Sequence, residues 1–450
     1  MQFAGETMSD PGACPSRQVL DVVRGDGAAL AEVQRFIHRS ADEAFVLYDN
    51  KRLTSAFQPI VSFAHQRVVG HEALLRAWDA RLQVAVPPLQ VFDAVRDDAE
   101  VVYLDRLCRA LHVRNAVLRR LQGGWLFLNI NPDVIIRGRD FGPFFADLLK
   151  RHRVAPHQVV IEVVESSIAD EGQLAEAVRF FKDLGCLVAL DDFGAGHSNF
   201  ERVWKVAPDI VKLDRSFTTQ VMVDPRARQV LPGLVGLLHE AGSLVLMEGI
   251  ETEAQALAAM DCDVDFGQGY FFGRPSPNGR DHVLGTEFFG RLDSAFGEMI
   301  TAQKTAHQSS LPEYIRGLER AAAMLVDGSP LAEACAHLLE HSNVERCFVL
   351  DAEGVQIGAN LEALHGGASP DARFDPLADM SRANWSRRPY FRRALCQPGK
   401  VQVTRPYLSV RDARYCVTLS IALEVQGQRR VLCADLSWDS STACPGVCCH

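Results

Sequence analysis

The stretch LVALDDFG, residues 187–194, is an apolar run that ends in two carboxylates and a glycine. Its first four residues are typical of a buried parallel strand, and the acidic pair stands where that strand would end. Because adjacent side chains point to opposite sides of an extended strand, Asp191 and Asp192 reach one pocket only where the strand turns. Gly194 and Gly196 favour such a turn, although the run Asp-Asp-Phe-Gly also suits a simple capped turn.

Apolar runs of the same kind recur on both sides of residues 187–194, separated by amphipathic segments of helical length. This alternation predicts repeated βα units and a parallel sheet. The count is about eight strands, which is the number that closes a TIM-type (β/α)8 barrel of the α/β class. The runs are AFQPIVSF (56–63), VVGHEALLRAW (68–78), WLFLNINP (125–132), VVIEVVES (159–166), LVALDDFG (187–194), IVKLD (210–214), SLVLMEGIE (243–251) and FGQGYFFG (266–273).

Acidic or amide side chains stand near the ends of these runs. A single polar residue in such a place is usually a turn former or a helix cap. The carboxyl ends of barrel strands lie together, however, so the whole set predicts one pocket. Oxygen-rich side chains of this kind suit hard divalent metals and a phosphate ester. The set comprises Glu72, Asn129, Glu162, Asp191, Asp192, Glu248 and Gln268, with Lys212 among them.

Lys212 lies inside the apolar run IVKLD (210–214). An unpaired ammonium group would be costly in that position, so Lys212 needs carboxylate or phosphate partners. Two interpretations remain open from the residues alone. Lys212 either belongs to the predicted pocket or forms a structural ion pair with Asp214 or another neighbouring carboxylate.

Length and composition limit the class of protein. The chain has 450 residues, of which 47% are apolar, so two packed domains are expected. The net charge of −10 argues against broad nucleic-acid binding, and no DNA partner is predicted. The chain has no run of eighteen apolar residues, and its first residues lack the apolar stretch of a signal peptide. We therefore expect a cytoplasmic protein without a membrane span.

The pattern divides the chain into four parts. Residues 1–50 contain a polar leader and a predicted helix around LAEVQRFIHRSADEAFVL (30–47), and residues 51–280 contain the barrel. Residues 281–328 are predicted as connecting helices, interrupted near QSSLPEY (308–314). Helical and then strand-like segments over residues 329–450 predict a smaller α+β domain that ends in a flexible tail with cysteines.

The motifs in the barrel runs resemble those of the EAL-domain phosphodiesterases, which hydrolyse cyclic diguanylate (cyclic di-GMP) to linear pGpG. The triplet Glu72-Ala73-Leu74 alone would be a weak match, but the whole set occurs in the family's order over roughly residues 52–276. The motifs are HEALLR (71–76), LNINP (128–132), VVIEVVE (159–165), ALDDFGAGHSN (189–199), VKLDRSF (211–217), MEGIETE (247–253) and GQGYFFGRP (267–275).

The resemblance implies two bound ions, Mg²⁺ or Mn²⁺. Zinc would favour His or Cys, and neither residue type occurs at these positions. The resemblance also assigns the nucleophilic water to Lys212, with Asp192 as general base. The catalytic residues it implies are Glu72, Asp192, Lys212 and Glu248. The ligands implied for the first ion are Glu72, Asn129, Glu162 and Asp191, and those for the second are Asp191, Asp192 and Glu248.

Three further residues resemble family positions around the substrate. They are Gln58, Arg76 and Gln268, and the resemblance implies that they bind cyclic di-GMP or support the residues that do. The guanidinium group of Arg76 would suit a phosphate oxygen because it can bind in a bidentate fork.

The chain departs from the family in the loop after Gly194. His197 and Asn199 stand where the family usually has Tyr and Ser, while the loop-anchoring glutamates have counterparts in Glu165 and Glu251. In the family this loop is thought to couple dimerisation to metal and substrate binding. The resemblance therefore implies a homodimer. The altered loop residues leave open the rate of the enzyme and its regulation.

Residues 330–440 resemble PAS-like or cache-like sensor domains, through WSRRPYFRRAL (385–395), TRPYLSV (404–410) and YCVTLSIAL (415–423). Aromatic walls with a few polar groups are typical of small-ligand pockets, so an unknown small ligand is a predicted partner. The same aromatic residues could instead close the domain core. The residues concerned are Trp385, Arg388, Tyr390 and Tyr407.

Two functional hypotheses follow. The first is a metal-dependent phosphodiesterase that hydrolyses cyclic di-GMP and is regulated by its C-terminal sensor domain. The second is a non-catalytic cyclic di-GMP receptor that signals through protein contacts, for which loss of metal ligands would be the sequence signature, and no ligand is lost. A sugar-phosphate barrel enzyme is disfavoured because no Gly-rich phosphate-binding turn follows the last strands.

Overall fold

The computed structural model describes residues 29–40, 42–95, 98–121, 123–131, 134, 141–164, 171–196, 200–279, 284–308, 311–363, 380, 382–409 and 414–438. The chain forms two compact units, Met1–Phe296 and Gly297–His450, and helix Thr286–Gln308 contains the division between them. Within the described ranges, no helix is both long enough and apolar enough to cross a membrane. The predicted tail with cysteines lies outside the described residues.

A short helix and a β-hairpin precede the barrel. The prediction of one helix around residues 30–47 is wrong beyond Arg35, where the helix ends. Ala44, Val46 and Tyr48 are buried and alternate with less buried residues, which is the period of a strand and not of a helix. This strand pairs with the first barrel strand through a two-residue turn, in which Asp49 and Asn50 have φ of 42° and 59°. The elements are α1 (Ala29–Arg35), β1 (Ile37–Arg39) and β2 (Ala44–Tyr48).

Eight strands close into a barrel, as the sequence predicts. Their order around the barrel is β3-β11-β10-β9-β8-β7-β6-β4, and β4 pairs with β3 to close the ring. A short strand, β5 (Val84–Val86), extends the outer end of β4. The barrel strands are β3 (Lys51–Ser62), β4 (Arg67–Asp79), β6 (Trp125–Asn129), β7 (Val159–Val164), β8 (Leu187–Phe193), β9 (Ile210–Leu213), β10 (Leu244–Met247) and β11 (Phe266–Gln268).

Strand β3 runs opposite to the other seven strands of the barrel. It pairs antiparallel with both β4 and β11, whereas the remaining neighbours pair in parallel. Only four residues, 63–66, join β3 to β4. A connection of that length makes a hairpin, because a parallel crossover needs about a dozen residues or more.

Helices surround the barrel, and several begin at capping side chains. Asp214 accepts a hydrogen bond from the N–H of Ser216 at the start of α7, so its carboxylate is a helix cap. Thr252 and Gln255 form a capping box at the start of α9. The helices are α2 (Pro88–Asp93), α3 (Asp98–Leu118), α4 (Phe141–His152), α5 (Glu171–Asp183), α6 (Phe200–Val206), α7 (Arg215–Val223), α8 (Pro225–Glu240) and α9 (Glu253–Asp261).

Large apolar side chains fill the inside of the barrel. They come from alternating strand positions, and all of them are buried. A barrel packed in this way is a solid core without a pore, so polar chemistry is confined to its ends. The interior cluster consists of Ile60, Phe127, Val160, Ala189, Ile210, Leu246 and Phe266.

The C-terminal unit is α+β, as expected from the sequence. Its antiparallel sheet has the order β13-β12-β17-β16-β14, with β15 also paired to β16. The predicted interruption near residues 308–314 falls between the first two helices. The elements are α10 (Thr286–Gln308), α11 (Leu311–Val326), α12 (Leu331–Leu339), β12 (Val344–Leu350), β13 (Gln356–Glu362), α13 (Pro389–Cys396), β14 (Gln402–Val403), β15 (Tyr407–Leu408), β16 (Tyr415–Val425) and β17 (Gln428–Ser437).

Each face of this sheet packs against a different helical layer. Leu318 of α11 and Leu338 of α12 belong to one buried cluster with sheet residues such as Leu432. Tyr390 and Phe391 of α13 belong to a second cluster on the alternate sheet positions. The unit therefore has its own core and does not depend on the barrel for a hydrophobic interior.

Two leucines of β10 offer a matched test of the barrel interior. Leu246 is fully buried, whereas Leu244 on the same strand is 41% exposed. We expect Leu246→Ala to lower the free energy of unfolding by about 2–5 kcal/mol, because it removes buried contacts and leaves a cavity. Leu244→Ala should change it by less than about 1 kcal/mol. Urea unfolding followed by circular dichroism measures both, and equal losses would contradict a packed interior at Leu246.

Candidate active site

The candidate site lies at the end of the barrel to which the parallel strands point. Side chains alternate along a strand, so a residue two positions after an interior core residue also points inward. On the antiparallel β3 the direction is reversed, and Gln58 stands two positions before Ile60. The other pairs are Phe127 and Asn129, Val160 and Glu162, Ala189 and Asp191, Ile210 and Lys212, Leu246 and Glu248, and Phe266 and Gln268.

The ammonium group of Lys212 lies at the centre of this set. Its Nζ atom is 2.6 Å from Glu162 Oε1, 2.7 Å from Glu248 Oε1 and 2.9 Å from Asp191 Oδ1. The nearest oxygen of Glu72 is 4.0 Å away. Lys212 is 1% exposed, so these carboxylates replace the water that would otherwise solvate its charge. The structure thus places Lys212 in the predicted pocket and not beside Asp214.

Glu72 is held by two amide side chains. Asn129 Nδ2 donates to Glu72 Oε1 at 3.0 Å, and Gln268 Nε2 donates to Glu72 Oε2 at 2.6 Å. Gln268 Nε2 also contacts Gln58 Oε1 at 3.2 Å, and Gln58 Nε2 donates to the carbonyl of Gly273 at 3.1 Å. Both carboxylate oxygens are therefore oriented, and Gln58 acts on the site through Gln268.

The turn predicted at Asp191 and Asp192 is present. Asp192 has φ of 57°, in the left-handed region that Asp tolerates better than most residues. The pairing of β8 with β9 shifts register between Leu190 and Phe193, and the Asp192 N–H donates to Asp191 Oδ1. This irregularity lets two adjacent carboxylates face the same pocket, which a regular strand would not allow.

Burial and mutual repulsion shift the protonation of the cluster. Burial raises the pKa of Glu162 well above its usual range, with Glu72 adding to the shift and Lys212 opposing it. Burial also raises the pKa of Glu248 to about 7, again against the effect of Lys212. Burial alone would lower the pKa of Lys212, but the surrounding carboxylates, Asp191 foremost, raise it well above its ordinary value. Lys212 therefore stays charged. The surrounding carboxylates share this one ammonium group as their counter-charge.

The oxygen atoms of this cluster fit divalent cations. One oxygen each from Asp191, Asp192 and Glu248 lie within 4.8 Å of one another. Glu162 Oε2 is buried and accepts no hydrogen bond within the described residues, which is costly for a carboxylate oxygen. The donors are carboxylate and amide oxygens, which suit Mg²⁺ or Mn²⁺ better than zinc.

The remaining predicted residues lie at the edge of the cluster or beyond it. Arg76 is exposed on β4, and its Nη1 donates to the carbonyl of Leu75 at 2.8 Å. Glu251 is exposed, and its backbone N–H donates to the side chain of Gln255. Glu165, His197 and Asn199 lie outside the described residues.

Two buried polar residues support the site without having been predicted. Thr218 Oγ1 of α7 donates to the carbonyl of Glu248 at 2.5 Å, which holds the chain just after β10. Asp105 of α3 accepts from the N–H of Asn131, just after β6, and pairs with Arg109. The i, i+4 spacing of Asp105 and Arg109 in a helix with many apolar positions was a weak signal, and Thr218 gave none.

Lys212→Met tests the role of the central cation. We expect the metal-free variant to lose about 3–5 kcal/mol of unfolding free energy, because the buried carboxylates lose their counter-charge. The loss should be smaller at mildly acidic than at mildly alkaline pH, since unpaired carboxylates with raised pKa become neutral by binding protons. Denaturant unfolding in chelator at both pH values measures it.

Lys205→Met is the matched control for that experiment. Lys205 pairs with Glu201 at 2.8 Å on the surface of α6, where both side chains are about half exposed. Its removal should change stability by less than about 1 kcal/mol at either pH. A Lys212 variant as stable as this control would show that the carboxylates do not need the ammonium group.

Gly194→Ala tests the turn after β8. Gly194 has φ of 99°, and a Cβ atom there would stand 2.0 Å from Cε2 of Phe217. We expect a loss of about 1–3 kcal/mol from this overlap and from backbone strain. Gly196→Ala is the control, since nothing lies within 4 Å of its added Cβ. Thermal unfolding compares the two, and equal melting temperatures would contradict the tight packing at Gly194.

Comparison with known proteins agrees with this geometry. Residues 38–275, more than half of the chain, match the family model of the EAL domain. The cyclic di-GMP phosphodiesterase RocR of Pseudomonas aeruginosa is 27% identical over 237 residues, which cover 51% of this chain and 59% of RocR. The EAL-domain containing protein YkuI of Bacillus subtilis, described as uncharacterized, is 25% identical over 349 residues, covering 74% of this chain and 82% of YkuI.

The solved structure of YkuI, in complex with cyclic di-GMP and calcium, shares the fold. It has a TM-score of 0.70 at 22% identity and covers 86% of this chain and 96% of that one. Because the match covers 86% of this chain, the fold similarity includes both units. From the family match over residues 38–275, the chain belongs to the EAL domain family.

Proposed function

We propose that the barrel is a metal-dependent phosphodiesterase that hydrolyses cyclic di-GMP to linear pGpG. The observation that carries this proposal is the convergence of four carboxylates on Lys212 at the mouth of the barrel. The similarity to RocR, which is named a cyclic di-GMP phosphodiesterase, supports the choice of substrate. An intact oxygen ligand set favours an enzyme over a receptor.

Charge explains why such a site would need metal ions to act on a phosphodiester. When ionised, the five carboxylates and the single ammonium group of Lys212 carry a net charge of −4, which would repel an anionic substrate and which two divalent cations would cancel. When bound, a pair of Mg²⁺ or Mn²⁺ ions supplies a water of lowered pKa and stabilises charge on the leaving oxygen. Glu72, Asn129, Glu162 and Asp191 would hold one ion, and Asp191, Asp192 and Glu248 the other.

The protein groups have distinct roles in this proposal. Asp192 is half-buried and lies outside the contacts of Lys212, so it is free to accept a proton from the attacking water as general base. Burial raises its pKa, with Asp191 adding to the shift, which moves it towards the range where a base works near neutral pH. Lys212 holds the carboxylates and orients the water. Glu72 and Glu248 complete the catalytic set.

Substrate contacts are proposed at the rim. Arg76 stands four residues after Glu72 on β4, on the same side of the strand, where its guanidinium group can reach a phosphate oxygen. Gln268 and Gln58 keep Glu72 in place on the opposite flank. Glu165 and Glu251 are proposed to anchor the loop that contains His197 and Asn199.

Regulation is proposed to come from the C-terminal unit. Its sheet with helices on both faces supports a PAS-like or cache-like sensor module. In this proposal the module binds a small ligand and biases a cytoplasmic homodimer of the barrel through the connecting helices. Domain boundaries at residues 50, 280 and 328 remain those proposed from the sequence.

Glu72→Ala tests the proposed reaction. We expect wild-type protein with Mg²⁺ or Mn²⁺ to convert cyclic di-GMP to pGpG, and the variant to lose at least about a hundredfold in kcat/KM, because an oriented metal ligand is removed. Chelation with EDTA should abolish turnover of the wild-type protein. Chromatographic separation of nucleotide products measures the rate.

Glu240→Ala is the matched control, since Glu240 is exposed on α8. It should retain the wild-type rate. Tight binding of cyclic di-GMP that persists in EDTA, with no turnover in either metal, would reject the enzyme and favour the non-catalytic receptor. Turnover by Glu72→Ala at the rate of the control would reject the assigned ligand set.

A further inference from the structure

The hairpin of β3 and β4 extends beyond the mouth of the barrel. Strand β4 pairs with β6 only as far as Ala73, but it continues to Asp79 in pairing with β3. That pairing has no bulge between Gly70 and Asp79, so the side chains on the side of Glu72 follow at every second position. The opposed pairs on this side are Gln58 and Glu72, Ala56 and Leu74, Thr54 and Arg76, and Arg52 and Trp78.

These pairs form rows that lead outwards from the carboxylate cluster at Lys212. Successive rows on one side of a strand are about 6.8 Å apart, so Arg76 stands about 14 Å along the strand from Glu72. Trp78 is one row further out. A ligand lying along this side of the hairpin would therefore meet the carboxylates first, then the guanidinium group of Arg76, and then a large aromatic ring.

The indole ring of Trp78 is available for contact. Trp78 is 43% exposed, and no ring or guanidinium group of the described residues packs on it. Its opposed neighbour Arg52 is engaged elsewhere, because the guanidinium carbon lies 3.8 Å from the ring centre of Phe45 and Nη2 donates to Glu43 Oε1 at 2.7 Å. The indole thus keeps an uncovered face.

The backbone of Trp78 is held on both sides. Trp78 is paired with Arg52 of β3 and with Ala85 of β5, so it lies inside a three-stranded part of the sheet. An aromatic side chain on a fixed backbone has few rotamers to lose when a ligand binds.

A second exposed aromatic ring near the mouth is already covered on one face. Tyr270 follows Gln268 of β11 by two positions and is 47% exposed. The guanidinium carbon of Arg274, however, lies 4.1 Å from the centre of its ring. Trp78 therefore offers the more open surface for a flat, uncharged group.

We propose that Trp78 is a specificity-determining residue that stacks on one guanine base of cyclic di-GMP while Arg76 binds the adjoining phosphate. This inference rests on the proposed function of the barrel. One row of the strand, about 6.8 Å, is comparable to the separation of a phosphate from its base within a nucleotide. Metal ions and Arg76 recognise any phosphodiester, whereas an aromatic platform favours one that carries bases.

Steady-state kinetics on the full-length protein with Mn²⁺ test the proposal. Trp78→Ala should raise KM for cyclic di-GMP by about tenfold, the effect of losing one stacked base, and change kcat by less than about twofold. Trp78→Phe should keep KM within about threefold of the wild-type value, because a phenyl ring also stacks on a base.

Leu82→Ala is the matched control for these kinetics. Leu82 is 66% exposed in the turn that follows β4, so its truncation alters the same end of the hairpin without removing the indole. Its KM should equal that of the wild-type protein. A wild-type KM in Trp78→Ala, or an equal rise in Trp78→Ala and Trp78→Phe, would overturn the proposal.

Stopped-flow fluorescence separates stacking from a purely structural role. Mixing the wild-type protein with cyclic di-GMP and Mn²⁺ should quench indole emission before the first turnover, because a stacked guanine quenches an indole. Trp78→Phe should lose this quenching while it retains KM, and Leu82→Ala should retain both. Equal quenching in Trp78→Phe and the wild-type protein would show that the base does not reach Trp78.

The outcomes distinguish this inference from the proposed function. A wild-type protein that neither binds nor hydrolyses cyclic di-GMP rejects both. Binding without turnover rejects the enzyme, and the Kd values of the same three variants, measured by calorimetry, then decide on Trp78. A change of oligomeric state in Trp78→Ala with unchanged nucleotide affinity would assign Trp78 to a contact between chains and reject the stacking role.

Discussion

Burying the ammonium group of Lys212 without partners would cost several kcal/mol, and burying Glu162 beside it would cost a similar amount. The barrel resolves both costs by bringing Glu162, Asp191 and Glu248 within 2.9 Å of one nitrogen. These charges come from four strands, β7 to β10, so the arrangement exists only when those strands are aligned. The geometry of the site and the closure of the barrel are therefore linked, because the cation holds together acids from neighbouring strands. The buried, unpartnered oxygen of Glu162 fits this interpretation, because Lys212 alone does not satisfy the cluster.

Strand direction shapes the other side of the pocket. The β3–β4 hairpin places Gln58 opposite Glu72 in the antiparallel register, and Gln268 of β11 bridges the two. A parallel first strand would need a long crossover connection in this position. The hairpin thus gives a compact amide support for Glu72, while the carboxylates on the opposite side are held by Lys212. The two halves of the site use different interactions, neutral hydrogen bonds on one side and ion pairs on the other.

In the C-terminal unit a buried charge is neutralised by a single ion pair. Arg346 is paired with Asp435 inside the sheet, and this pair is fully connected through Thr418, Tyr407 and Ser409. Arg388 lines a small cavity together with Arg346 but has aromatic rings as neighbours in place of an acid. Arg346 and Asp435 neutralise each other, whereas no acid of the described residues pairs with Arg388. Sequence motifs of the aromatic segment indicated a pocket or a core, and the structure shows that Tyr390 contributes to both.

The eight apolar runs, the polar residues at their ends and the order of the family motifs can be read from the sequence, because strand period and turn chemistry are local properties. Those features were sufficient to predict the closed barrel. They also predicted that the main acids would cluster together with Asn129 and Lys212. Three features became visible only in the fold: the reversed direction of β3, the strand at residues 44–48 where a helix was expected, and the support from Thr218 and Asp105. The strand at residues 44–48 and the direction of β3 follow from two short hairpins, β2 with β3 and β3 with β4. The two supports depend on partners distant in the chain: Thr218 meets the carbonyl of Glu248, and Asp105 meets the N–H of Asn131. Local pattern cannot reveal such partners, because their stabilisation comes from contacts that exist only after the chain has folded.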